Sequence, residues 1–195
     1  MADPILSSLK QILSKRPPVP LKGPNCTPAA VLLLVYQKGH GHYINLQKRT
    51  QQVQYHKGEV CLPGGTPEIG DASLLGTALR EAKEEIGIQP SDVTILGQLD
   101  DVVTRTGYTV KVFVGTIPHP YSFSTNDAEV EEVLEVPLTV LMNSANLREE
   151  VHWEPDNVTT GYSYAYGQHL IYGATAKIID QFLQLIEPAL QNRGS

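Results

Sequence analysis

Cysteine is scarce in this sequence: Cys26 and Cys61 are the only two among 195 residues. Their spacing matches no metal-ligand pattern, so two reduced thiols in a cytoplasmic protein are the expected state. Positive charge is also short, with 15 Lys and Arg against 21 Asp and Glu and a net charge of −6. That balance excludes a general electrostatic pull toward nucleic acid or an anionic membrane. An anionic small molecule would need a local cationic device, either basic side chains or a metal ion. Long hydrophobic runs are missing: none reaches the length of a bilayer span. The first 13 residues lack an apolar core with a small-residue cleavage site, which argues against a signal peptide. There is no internal repeat and no low-complexity tract.

What remains is an ordinary globular balance, 41% hydrophobic and 18% charged, in a chain of one domain's length that can bury a core without disulfides. Leu6, Leu9, Ile12 and Leu13 follow helical spacing, and Arg16-Pro17-Pro18-Val19-Pro20 stops that helix. Residues 1–26 thus read as an N-terminal helix and proline-rich arm, 27–190 as the domain proper, and 191–195 as a tail. The aliphatic run Ala29 to Tyr36 fits a strand buried on both faces. Further strands are expected over Tyr43–Gln47, Val93–Val103, Tyr108–Thr116 and Glu132–Val136, with a turn at Thr104–Gly107. Ser73 to Ile86 is the clearest helix, with Ser73 as N-cap and Gly87 as terminator. A second amphipathic helix covers Ala174–Ile186. Strands and helices without strict alternation point to an α+β chain or an α/β/α sandwich.

The helix ending Arg80-Glu81-Ala82-Lys83-Glu84-Glu85-Ile86 carries the chemistry. On a helical wheel, Leu75, Leu79, Ala82 and Ile86 fall within roughly 60°. Glu81, Glu84 and Glu85 gather within roughly 100° on a largely opposite side. Each like-charge pair at these spacings costs about 0.2–0.5 kcal/mol, and the negative end of the helix dipole adds to the penalty. A divalent cation reverses the sign of that arrangement, and hard oxygen donors suit Mg²⁺ or Mn²⁺. On their own the carboxylates fit a solvated acidic face, partly neutralised by Arg80 and Lys83, better than a metal site. The Gly64-Gly65 turn before the helix shifts the balance, because it lets backbone approach a metal or phosphate closely.

The stretch Gly65 to Ile88 resembles the Nudix box, and Arg80 to Ile88 match its final nine positions completely. Asp71 stands where the first glutamate is expected, and eight residues rather than seven separate it from Arg80, leaving the roles of Asp71 and Glu68 open. The resemblance implies a Nudix fold, an α/β/α sandwich around a mixed central sheet. It implies metal binding by Glu81, Glu84 and Glu85 with the Gly65 carbonyl as a further donor, and Arg80 orienting a neighbouring glutamate. The preceding segment, Leu46 to Thr50 and His56 to Gly65, resembles the motif of the coenzyme A pyrophosphatase branch. Arg49, Gly58 and Pro63-Gly64-Gly65 match it, whereas Val53, Thr50 and Leu62 depart. Lys48, Arg49, His56 and Lys57 form a basic group suited to phosphate, or else a solvated loop with strand-edge charges. Thr104, Arg105 and Tyr108 are substrate-contact candidates, or else an ordinary hairpin turn. Asn126 to Leu138 resembles the branch's later segment and maps Glu129 onto its acidic position, with Asp127, Glu131 and Glu132 as competitors.

The reaction implied is metal-assisted attack of water on a P–O–P bridge, with Glu81 or Glu129 taking the proton. The substrate implied is a nucleotide such as coenzyme A; ADP-ribose or another nucleoside diphosphate derivative is the alternative, and a non-catalytic nucleotide-binding module is the rival of another class. Two-chain assembly through the N-terminal arm is a further expectation.

Overall fold

The computed structural model describes residues 3–21, 26–53, 56–154 and 157–191. Helix α1 covers Pro4–Lys15. The Asp3 carboxylate caps it, accepting from the Ile5 and Leu6 N–H groups at 2.8 and 3.2 Å. Strands β1 (Thr27–Lys38), β2 (Gly41–Arg49), β3 (Val60–Cys61) and β4 (Gly64–Gly65) precede helix α2 (Leu74–Ile86). Then come β5 (Thr94–Gln98), β6 (Val102–Val103), β7 (Tyr108–Thr116) and β8 (Val130–Pro137). The short helix α3 (Leu138–Leu141), strands β9 (Leu147–Glu154), β10 (Asn157–Tyr166) and β11 (His169–Ile171), and helix α4 (Gly173–Gln191) complete the chain.

Strand β1 is the centre of a mixed sheet. Its first part, Thr27 to Leu34, runs parallel to β7, while Ala30 and Val31 pair antiparallel with Gly65 and Gly64 of β4 on the other side. From Val35 onward it pairs antiparallel with β2, which also carries β3 and β8. Strands β5 and β6 pair antiparallel with β7.

The aliphatic run is buried on both faces, as its composition requires. Leu33 and Val35 belong to a core with Leu9 and Leu13 of α1 and Ile179, Phe182 and Ile186 of α4. Ala30, Leu32, Leu34 and Tyr36 face the opposite way, onto Ala78, Ala82 and Ile86 of α2. The alternation of β1 thus sorts the helices to the two sides of the sheet, giving the expected α/β/α layering and α+β class.

Helix α1 is part of the main core, with Ile5, Leu9 and Leu13 buried. The proline-rich segment after it is held within its own chain. Arg16 pairs with Asp100, and the Val19 N–H donates to Asp100 Oδ1 at 2.7 Å while the Val19 carbonyl accepts from the Asp101 N–H at 3.1 Å.

Two features differ from the sequence expectation. The stretch Val93–Val103 is two strands, β5 and β6, separated by residues 99–101, where the Leu99 N–H still donates to the Val112 carbonyl of β7 at 3.0 Å. Strands β9 to β11 form a separate three-stranded antiparallel sheet that hydrophobic alternation did not announce.

Candidate active site

Helix α2 is bounded as its sequence dictates. The Ser73 hydroxyl accepts from the Gly76 N–H at 3.2 Å. Gly87 adopts a left-handed φ of 76°, which only glycine takes up without strain. The Gly87 and Ile88 N–H groups then close on the Lys83 and Ala82 carbonyls at 3.0 and 3.2 Å. The three glutamates are graded from solvent to core: side-chain exposure is 55% at Glu84, 16% at Glu81 and 2% at Glu85. The helical wheel set all three on the outer side. The structure instead buries Glu85, because β2 and the Pro63-Gly64-Gly65 segment cover that flank of the helix.

Each buried carboxylate is met by designed contacts. Glu85 Oε2 accepts from the Gly64 N–H at 2.9 Å, and Oε1 lies 3.4 Å from Arg49 Nη1. Burial still pushes its carboxyl up to about 7, against the pull of the Gln47 amide, the Gly64 N–H and Arg49. Burial likewise raises Glu81, with Arg80 opposing and the charges of Glu84 and Glu129 reinforcing. A Cβ on Gly65 would overlap the Glu81 carboxylate, and one on Gly64 would overlap the Ala30 carbonyl. Gly64 is therefore needed where backbone packs on the strand, whereas a side chain at Gly65 would displace the Glu81 carboxylate.

Arg80 organises the outer half of the site. Its Nε and Nη2 donate to Asp71 Oδ1 and Oδ2, both at 3.1 Å. Its Nη1 donates to Glu84 Oε2 at 2.9 Å and lies 3.0 Å from Glu81 Oε1. Nη2 also reaches the Thr66 carbonyl at 3.1 Å. Asp71 accepts in addition from Thr77 Oγ1 at 2.9 Å and the Glu68 N–H at 3.0 Å. The Arg80 guanidinium beside it holds the Asp71 carboxyl down at about 2. The extra residue in the box is thus absorbed between Asp71 and the helix start, and Asp71 still reaches Arg80. Glu68 stays peripheral, 69% exposed and 3.9 Å from Arg80.

Glu129 is brought to this group from a distant part of the chain. The loop before β8 docks on the end of α2: the Ser124 and Asn126 N–H groups donate to the Ile86 and Glu85 carbonyls at 3.1 and 2.9 Å. These are among the carbonyls that a helix end leaves without partners. The competitors are engaged elsewhere. Glu131 pairs with Lys48 at 2.6 Å, His169 lies 3.5 Å from Glu132, and Asp127 accepts from Thr125 Oγ1 at 3.0 Å.

The expected basic group is divided. Arg49 and Gln47 lie on one face of β2 and reach Glu85, whereas strand alternation turns Lys48 to the other face and Glu131. His56 Nδ1 pairs with Glu59 at 2.9 Å, and Lys57 is exposed, with no ion pair among the described residues. Thr104, Arg105 and Tyr108 come together as a hairpin between β6 and β7. The Thr104 hydroxyl accepts from the Tyr108 N–H at 2.9 Å, and Arg105 is exposed. No hydrogen bond or ion pair among the described residues joins this hairpin to the carboxylates. The sequence reading missed Gln47 and Asn126. The first was within reach, since it shares a strand face with Arg49; the second has no fixed spacing to the box.

Among the described residues no three side chains converge at ligating distance, and Arg80 lies between Glu81 and Glu84. The donor set nevertheless fits a hard divalent cation. Four carboxylates are drawn together against two guanidinium groups, and the charges of Glu84 and Glu129 work against that of Glu81. A cation relieves that repulsion.

A fold of this layering, with such a helix behind a Gly-Gly turn, defines a class. Residues 27–160 match the NUDIX domain family, and the chain belongs to the Nudix family of hydrolases. It is similar to two proteins described as uncharacterized Nudix hydrolases NudL. The one from Photorhabdus laumondii is 37% identical over 172 residues, covering 88% of this chain and 91% of the relative. The one from Shigella sonnei is 33% identical over 180 residues, covering 92% and 91%. Solved structures share the fold: a MutT/nudix family protein from Enterococcus faecalis has a TM-score of 0.55 at 13% identity, covering 93% of this chain and 70% of that one. A NUDIX hydrolase from Alicyclobacillus acidocaldarius has a TM-score of 0.51 at 18% identity, covering 63% and 84%. The protein is accordingly a Nudix pyrophosphohydrolase acting on small-molecule nucleotides, in a family that works with divalent ions such as Mg²⁺ or Mn²⁺.

Proposed function

We propose that the enzyme hydrolyses the phosphoanhydride of coenzyme A or its derivatives, giving 4′-phosphopantetheine and adenosine 3′,5′-bisphosphate. The observation that carries this reading is the contact of Arg49 with Glu85. The segments that resemble the coenzyme A branch, Leu46 to Thr50 and His56 to Gly65, supply Arg49, Gly64 and Gly65 to the acidic helix, so the two signatures meet in one site.

Glu81, Glu84 and Glu85, with the Gly65 carbonyl, would hold Mg²⁺ or Mn²⁺, which when bound polarises phosphoryl oxygens and acidifies water. Arg80 and Asp71 fix the direction of Glu81 and Glu84 through charge-assisted hydrogen bonds. Glu81 is packed on Gly65 and tied to Arg80, which suits a ligand. Glu129 has one carboxylate oxygen held by Asn126 Nδ2 at 3.3 Å, which suits the base. Water attacks one phosphorus, Glu129 accepts its proton, and the bridging P–O bond breaks with the electron pair leaving on the departing phosphate. Lys57 and Arg105 offer exposed cations for the 3′-phosphate of the substrate, with His56, Thr104 and Tyr108 as the remaining substrate-contact candidates; Lys48 faces away and pairs with Glu131.

The test is turnover of a panel of coenzyme A, ADP-ribose and dinucleotides, with product masses. The reading expects coenzyme A to have the highest kcat/KM and to yield the two named products. A clear preference for ADP-ribose or a dinucleotide overturns the substrate assignment and leaves the hydrolase class standing.

A further inference from the structure

Asn126 uses every polar atom it has. Its backbone N–H donates to the Glu85 carbonyl at 2.9 Å, and its carbonyl accepts from the Glu129 and Val130 N–H groups at 2.9 and 2.8 Å. Its side-chain Oδ1 accepts from the Ala128 N–H at 3.2 Å. Its Nδ2 donates to Glu129 Oε1 at 3.3 Å. One residue thus grips the end of α2 with its main chain and the Glu129 carboxylate with its side chain. The loop is also fastened from β2: the Thr50 N–H and hydroxyl donate to the Glu129 and Ala128 carbonyls, both at 2.9 Å.

We infer that Asn126 is a positioning residue, which holds the Glu129 carboxylate in register with the acidic face of α2. Only an amide does this. One branch accepts from the loop backbone while the other donates to an anion; aspartate keeps the first contact and sets two negative charges against each other. A hydroxyl of serine retains the short acceptor but cannot span to Glu129. Asn126 spends its side chain on Glu129 and the Ala128 N–H, and so works through Glu129. The inference therefore rests on the proposed proton-accepting role of that residue.

The experiment is a double-mutant cycle on the metal-loaded enzyme, with Asn126→Asp, Asn126→Ser, Glu129→Gln and the two combinations. Thermal melts check that each variant is folded. Glu129→Gln lowers kcat by about 10²- to 10⁴-fold, the usual worth of a general base. Asn126→Asp lowers kcat by about 10- to 100-fold with KM little changed, the effect of a misplaced group, and Asn126→Ser follows it. In the Glu129→Gln background both Asn126 substitutions cost nothing further. A full additional loss in that background overturns the positioning role and leaves Glu129 as the base. A Glu129→Gln enzyme with unchanged kcat overturns both. A wild-type kcat in folded Asn126→Asp and Asn126→Ser overturns the inference alone.

Discussion

Glu85 shows how a single side chain carries both the cost and the use of the site. It is buried to 2% exposure, yet a carboxylate in that setting is disfavoured unless something positive faces it. The Gly64 N–H, Gln47 and Arg49 offset part of the penalty, and its carboxyl is still pushed up to about 7. A folded-state pKa raised above the unfolded value gives stability that is present below about pH 4.5 and lost as pH rises through about 7. In metal-free enzyme, melting temperatures should therefore fall across that window by more in wild type than in Glu85→Gln. A pH series of melts in EDTA reads this directly; parallel curves for the two proteins would contradict it. At this scale much was legible. The wheel placed Glu81, Glu84 and Glu85 in one group, and the resemblance to the Nudix box assigned Arg80 to orient one of them. It could not show Glu85 turned inward, because that depends on β2 and the Gly-Gly segment covering the flank. It could not show Asn126, whose role comes from a loop folded back over about forty residues.

At the scale of elements, helix α2 is the working part, and its end is where two segments meet. Gly87 has a left-handed φ of 76°, and a Cβ there would lie 2.9 Å from Ser124 Cβ and 3.0 Å from the Ser124 backbone nitrogen and oxygen. Gly87→Ala should destabilise the protein by about 1–3 kcal/mol. It should also displace the loop that carries Glu129, so kcat falls in the folded fraction. Denaturant titration and a rate measured well below the melting temperature check the two parts. A stable variant with unchanged kcat would show that the loop does not depend on this contact. The cap residues Ser73 and Gly87 made α2 readable, and continuous aliphatic burial made β1 readable. Strands β9 to β11 were not. Of the described side chains in β10 and β11, Ser163, Tyr164 and Ile171 are buried, so the hydrophobic pattern that marks a half-buried strand is thin there. The break between β5 and β6 was hidden for a related reason, since Leu99 and Asp101 lie between the two strands and are buried as strand residues would be.

For the whole molecule, the two-sided β1 sets the plan. One face builds the larger core with α1 and α4, and the other carries α2 and the carboxylates. The N-terminal helix, whose spacing the sequence showed without saying what in the chain it packs against, supplies Ile5, Leu9 and Leu13 to that larger core. Its burial was not legible because the surfaces that receive it, β5 and α4, lie some eighty and more residues away. The net charge of −6 gives the molecule no general attraction for a diphosphate, so the site must supply positive charge locally. Arg49 and Arg80 are both committed to carboxylates. A divalent ion held by the α2 carboxylates would supply the rest. The direct measurement is coenzyme A hydrolysis against Mg²⁺ concentration after removal of metal with EDTA, in wild type and in Glu81→Gln and Glu85→Gln. No turnover is expected in EDTA, with saturable recovery on adding Mg²⁺ in wild type and loss of that recovery in both variants. Hydrolysis that proceeds undiminished in EDTA, or variants that respond to Mg²⁺ as wild type does, would contradict it.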